Sequence, residues 1–207
     1  MFFLSFYEFD GQQQQQQKFW TLGAICDVLQ EAYKGMLQKM PYPVNHTMCR
    51  EVMFEMLRTK GPEVLTQLTI PKFGKIYVQL LKLDNLTVDE QGNPQRTWES
   101  AILNLTQLPE SSDDPELKKL YIRFIVKTMQ IFDEEVVDRN QFRDDQEISL
   151  AARIKDWFRE EQGCQINYVI TRMNQVLESY TMFERKTVLG TLKVLATLID
   201  WNDVSLF

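Results

Sequence analysis

Cysteine, histidine, glycine and proline are all scarce in this chain, and each scarcity removes a class of explanation. The 207 residues hold three cysteines, one histidine, eight glycines and seven prolines. Cys26, Cys49 and Cys164 stand far apart without paired spacing. They fit free thiols in a reducing compartment better than a disulfide framework or a zinc site. The sole histidine, His46, would have to serve any Ser-His-Asp or Cys-His site. It lies beside a proline-rich turn with no supporting motif and reads as a structural bystander. So few turn-forming residues disfavour a β-sandwich. No glycine-rich phosphate loop of either common spacing occurs. Neither a cofactor nor a metal nor enzymatic activity is therefore expected.

Positive charge is also lacking. Lys and Arg number 23 against 29 Asp and Glu, for a net charge of -6. A compact nucleic-acid-binding domain is usually basic, although a local patch on a larger surface remains compatible with this balance. Long apolar runs are missing too. Met1 to Asp10 are apolar but too short for a membrane span. They lack the basic lead and the cleavage site of a secretion signal, so none is expected. The Asn-x-Thr triplets at Asn45, Asn85 and Asn104 then read as chance matches to a glycosylation signal.

What the chain does have is apolar residues at helical spacing. Residues 1–17 are expected to form a flexible glutamine-rich leader, since Gln12 to Gln17 have nothing to bury. A helix is predicted from Phe19 to Lys39, with Trp20, Ile25, Leu29, Tyr33 and Leu37 inward, ended by Pro41 and Pro43. A second spans His46 to Arg58 and is broken at Gly61-Pro62. Pro62 and Pro71 each open a further helix, to Thr69 and Leu83. Asp84 to Arg96 reads as a loop turning at Gly92-Asn-Pro94, followed by a helix from Thr97 to Leu108. Asp114-Pro115 is a strong helix start, and that helix runs to Phe132. Asp133 to Asp145 reads as an acidic linker.

The next helix covers Gln146 to Gln162, with Gly163 as terminator. Its Ile148, Ala151, Ala152 and Phe158 are expected on one buried stripe, with both alanines admitting a neighbouring helix. Helices follow from Ile166 to Tyr180 and from Phe183 to Ile199, the last apolar almost all round and so expected between neighbours. No strand pattern is evident. The fold class is all-α, an array of antiparallel helical hairpins of about 40 residues each. Its apolar, uncapped ending predicts a fragment of a longer array.

The residues offer three sites for weighing. Asp133-Glu-Glu135 with Asp138 is a possible cation site, but a solvated acidic loop fits better without calcium-loop spacing. Arg153, Lys155 and Arg159 are the nucleic-acid-binding candidates. They are interleaved with Asp156, Glu160 and Glu161, which favours a solvated face on charge alone. Trp157 and Phe158 read as core for at least one ring, with base stacking as the sharper alternative.

Three blocks carry a resemblance. They are Leu120-Tyr-Ile-Arg123 through Asp138, Gln146 through Asp156 with Arg159-Glu160, and Leu198 through Leu206. In order and spacing they resemble the amino-terminal portion of the tRNA exportins (exportin-T) of the importin-β/exportin superfamily, best over residues 115–207. The resemblance implies that residues 18–207 form a partial HEAT-like α-solenoid. It further implies a nuclear export receptor that binds transfer RNA cooperatively with Ran-GTP, meets nuclear pore proteins, shuttles between nucleus and cytoplasm, and releases its cargo in the cytoplasm. The alternative on the same fold is a HEAT-like scaffold for protein–protein interaction without RNA binding.

Overall fold

Among the described residues of a computed structural model, the apolar periodicity resolves into eight α-helices and no strand, with a lone bridge residue at Val88. The structure describes residues 12–38, 44–88, 91, 95–137, 144–160 and 165–201. The helices are α1 (Gln12–Leu37), α2 (His46–Val64), α3 (Ile70–Leu86), α4 (Ala101–Thr106), α5 (Pro115–Phe132), α6 (Asp145–Arg159), α7 (Gln165–Glu178) and α8 (Arg185–Trp201). The chain divides into two compact units, Met1–Trp98 and Glu99–Phe207.

In the first unit α2 and α3 form an antiparallel hairpin. Phe54 near the middle of α2 meets Tyr77, with ring centroids 6.4 Å apart, while His46 at its start meets Asp84 near the end of α3. The Thr69 hydroxyl closes the tight turn by donating to the Val64 carbonyl. α1 packs on α3 in the opposite sense. Lys72 lies 4.9 Å from the Phe19 ring, and ten residues on Lys82 lies 4.2 Å from the Tyr33 ring. Advancing along α1 therefore advances along α3, and the two run parallel. Their core is Leu22, Ile25, Leu29 and Tyr33 against the apolar face of α3.

The second unit repeats the plan. Asp114 accepts from the Glu116 amide at 2.9 Å and starts α5, with Pro115 at the first helical position. α5 and α8 run parallel, since Arg123 pairs with Glu184 at 3.2 Å and Asp133 accepts from Thr197 at 3.4 Å. α4 packs on α7, and Glu110, in the turn that follows α4, pairs with Arg172 in the middle of α7. Alternate helices thus form rows, α4 with α7 and α5 with α8. α6 is inserted between α5 and α7. Such row pairing of like helices is the plan of stacked helical hairpins.

Several boundaries differ from expectation, each for a local reason. α1 begins inside the glutamine tract at Gln12, because glutamine is a good helix former even with nothing to bury. The expected break before Pro62 is present, with non-helical backbone at Lys60 (φ -128°, ψ 17°), but the short helix that Pro62 opens stops at Val64 instead of running to Thr69. The helix expected over Thr97–Leu108 shrinks to α4 and a 3-10 turn at Leu108–Ser111, since the Thr97 and Trp98 amides are already committed to Asp84. The expected acidic linker opens as a π-turn, Asp133–Val137, drawn inward by buried Val136 and Val137. The expected breaks at Pro41, Pro43, Gly92 and Gly163, the Asp138 end of the acidic group and the segment after Trp201 lie outside the described residues.

Three burial expectations are corrected. Trp20 and Tyr180 face outward at the ends of their stripes. On α6 the buried line is Leu150, Ala151, Ile154, Trp157 and Phe158, whereas Ile148 (55% exposed) and Ala152 lie on the solvent side. Ile148 and Ala152 are four residues apart and share a face, but the larger side chains Leu150, Ile154 and Trp157 set which face is buried. On α8 the buried line is Thr187, Gly190, Thr191, Val194 and Leu198, leaving Leu189, Leu192 and Ile199 exposed. The close helix approach expected at the alanines is found at Gly190. A Cβ there would stand 2.7 Å from Val126 Cγ1 on α5.

Candidate nucleic-acid interface

α6 carries the three basic candidates, and its own chemistry fixes where they point. Asp144 caps the helix by accepting from the Glu147 amide at 2.8 Å. Asp145 and Glu147 in the first turn and Arg159 in the last suit the helix dipole. Phe158 stacks on Phe132 with ring centroids 5.3 Å apart, and Trp157 packs edge-on to Phe158. Both rings are buried, so the core reading of this pair holds and they are not presented to a base.

With that stripe turned inward, the candidates separate. At about 100° per residue, Arg153 falls on one flank of the stripe, while Lys155 and Arg159 fall on the other. Lys155 is half-buried and donates to the Val137 carbonyl at 3.3 Å, tying α6 to the π-turn. Arg153 is half-buried as well and is engaged within the fold. Arg159 is exposed and stands 3.7 Å from Asp156, one helical turn away. An exposed pair of that kind contributes little and yields readily to a stronger anion. The face shared by Arg159 and Lys155 also holds Ile148 and Ala152. The structure brings Lys155 and Arg159 together and leaves Arg153 apart.

A second polar constellation was hidden in the sequence. Asp84, only 1% exposed, lies at the end of α3. Its carboxylate accepts from the amides of Thr97 (3.2 Å) and Trp98 (3.1 Å) and from the Thr97 hydroxyl. Arg50 approaches it to 3.9 Å and also lies 5.2 Å from the Trp98 ring centroid. His46 Nε2 lies 3.8 Å away. The group ties the start of α2 to the end of α3 and to the Thr97–Trp98 segment, and it contains no arrangement of nucleophile and base. His46 thus takes part in the packing of the α2–α3 hairpin.

Burial lowers the His46 pKa from its usual value, and Arg50 adds to this while Asp84 opposes it. The sign of the linkage follows. The unfolded chain takes up the proton first as pH falls, so stability declines as pH drops below about 6.5 toward the lower folded-state value. The urea midpoint is expected to be lower at pH 5.5 than at pH 7.5, and His46→Gln should shrink that difference. An undiminished difference in the variant would assign the pH dependence to other groups.

Residues 57–207 match the family described as exportin 1-like protein, which is broader than the tRNA exportins. No curated protein and no solved structure matches the chain.

Proposed function

The chain belongs to the exportin 1-like family, and on that premise we propose that it is part of a nuclear export receptor that binds transfer RNA together with Ran-GTP. The observation that carries this reading is the coincidence of two spans. The family match over 57–207 contains the whole stretch, 115–207, whose residues resemble the tRNA exportins. The row-paired helices supply a surface on which contacts can be distributed. Each ligand would favour the same arrangement of the helices and so raise the other's affinity, and GTP hydrolysis would release both. Shuttling between nucleus and cytoplasm past nuclear pore proteins belongs to the same proposal.

RNA phosphates would meet Arg159 and Lys155 on one flank of α6, with Arg153 contributing separately. Backbone contact reads shape more than sequence, which suits a transfer RNA. Each neutralised phosphate adds about 0.7 to 0.9 to the slope of log affinity against log salt. Replacing Arg153, Lys155 and Arg159 together by alanine should therefore lower that slope by about 2. Arg159, the most exposed of the three, should by itself account for about 0.7 to 0.9 of that loss. The measurement is a salt titration of transfer RNA binding, with and without Ran-GTP. An unchanged slope removes these residues from the interface. Absence of RNA binding under all conditions favours the protein scaffold, a reading supported by the exposed Leu189, Leu192 and Ile199 of α8 and by the net charge of -6.

A further inference from the structure

The turn between α4 and α5 reads Glu110-Ser-Ser-Asp-Asp-Pro-Glu116. All of these residues are exposed except Ser112, which is half-buried. The two serines are not equivalent. Ser112 Oγ accepts from the Asp114 amide at 3.1 Å and so belongs to the start of α5. Ser111 ends the 3-10 turn, and its hydroxyl donates to the Leu108 carbonyl at 2.7 Å. A single neutral bond of this kind contributes little net stability and is given up readily. Beyond Ser111 the backbone is extended at Ser112 (φ -140°, ψ 148°) and at Asp114 (φ -69°, ψ 116°). The carboxylates of Asp113, Asp114 and Glu116 follow the Ser111 hydroxyl by two, three and five residues.

A partly unfilled arginine lies beside this serine. Arg172 on α7, with its side chain only 15% exposed, pairs through Nη2 with the exposed carboxylate of Glu110, the residue before Ser111. Its Nε is buried and has no hydrogen-bond partner among the described residues. A guanidinium presents its donors as a rigid fork that matches two oxygens of one phosphate or carboxylate. Glu110 fills part of that fork and leaves Nε open.

We propose that Ser111 is a phosphorylation site for an acid-directed protein kinase, and that its phosphate takes Arg172 over from Glu110. A kinase whose substrate groove is lined by cations selects a hydroxyl by the carboxylates around it. The γ-phosphoryl group of ATP passes to Ser111 Oγ as its bond to the β-phosphate oxygen breaks. ADP leaves, and the hydroxyl proton goes to the catalytic aspartate of the kinase. The product carries about two negative charges and three acceptor oxygens. It repels Glu110, which can turn into water, and offers Arg172 acceptors for both Nε and Nη2. Consecutive residues stand about 3.8 Å apart, so the phosphate starts within a side-chain length of the arginine. The turn after α4 then stays tied to α7 through the phosphate. This inference is independent of RNA binding.

The test is phosphorylation of the full chain by ATP and an acid-directed Ser/Thr kinase, with the site mapped by mass spectrometry. A kinase directed by basic residues serves as control. The first kinase should place one phosphate on Ser111, the second should place none there, and Ser111→Ala should abolish incorporation. Asp113→Asn combined with Asp114→Asn should slow incorporation at least about tenfold. That variant keeps its fold, because asparagine caps a helix start as well as aspartate does. A Ser111 left unmodified, a phosphate mapped to Ser112 instead, equal modification by the two kinases or an unchanged rate in the double variant overturns the site. Glu110→Gln then reports on Arg172. It should lower the urea midpoint of the unmodified protein and leave that of the phosphorylated protein unchanged. An equal shift in both forms overturns the transfer of Arg172.

Discussion

Asp84→Ala is expected to cost about 3 to 5 kcal/mol, the typical loss when one partner of a buried ion pair is removed. The carboxylate accepts from the amides of Thr97 and Trp98 and from the Thr97 hydroxyl, and it faces Arg50 and His46. Without it the Trp98 amide and the Arg50 guanidinium lose their compensation in a site that water does not reach freely. Asp84→Asn should cost less, because the amide oxygen still accepts one of these bonds while the charge facing Arg50 is lost. Equilibrium urea unfolding reads both variants. If Asp84→Ala leaves the midpoint within error of the parent, the carboxylate is not what holds the Thr97–Trp98 segment on the α2–α3 hairpin.

The second large effect is expected at Gly190. A Cβ there would stand 2.7 Å from Val126 Cγ1 and 3.0 Å from Gln130 Nε2. The glutamine end can swing aside, but Val126 is buried and held by its neighbours. Gly190→Val should therefore separate α5 from α8 and cost about 3 kcal/mol, the upper part of the usual overpacking range. Gly190→Ala sets the same clash against a gain of about 1 kcal/mol in helix propensity, so its net effect should be small. The decisive comparison is the cycle with Val126→Ala. If the valine side chain is the obstacle, Gly190→Val should be milder in that background than in the wild type. Additive costs would place the obstacle elsewhere.

Helix identity was legible in the sequence wherever a cap or proline coincided with strong periodicity. Asp114-Pro115 fixed the start of α5, and the Met53, Met56 and Leu57 spacing fixed the inner face of α2. The phase of α6 was harder to read because Ile148 and Ala152 form a plausible stripe of their own. Only the contacts of Phe158 with Phe132 and of Lys155 with Val137 decide between the faces. The close approach at Gly190 depends on which helix lies opposite, which no local pattern gives. By its sequence Asp84 reads as the start of a loop, and its partners at Thr97 and Trp98 are 13 and 14 residues away. No short-range pattern announces a buried carboxylate whose partners lie on the far side of a loop. The basic candidates were legible as residues but not as a group, because their separation into two flanks follows from the helix phase.

The row pairing of like helices also sets an order of assembly. Within a hairpin such as α2–α3, the turn between Val64 and Thr69 brings neighbours together over a few residues. Along a row the chain must close far longer loops, 61 residues from Arg123 to Glu184 and 64 from Asp133 to Thr197. Closure entropy grows with loop length, and contacts distant in sequence form more slowly than local ones. The tight hairpins therefore form early, and the docking of α8 onto α5 comes late. Gly190 lies at that late contact, so by this order Gly190→Val should act mainly by hastening the separation of α8 from α5, leaving the formation of the hairpins little changed.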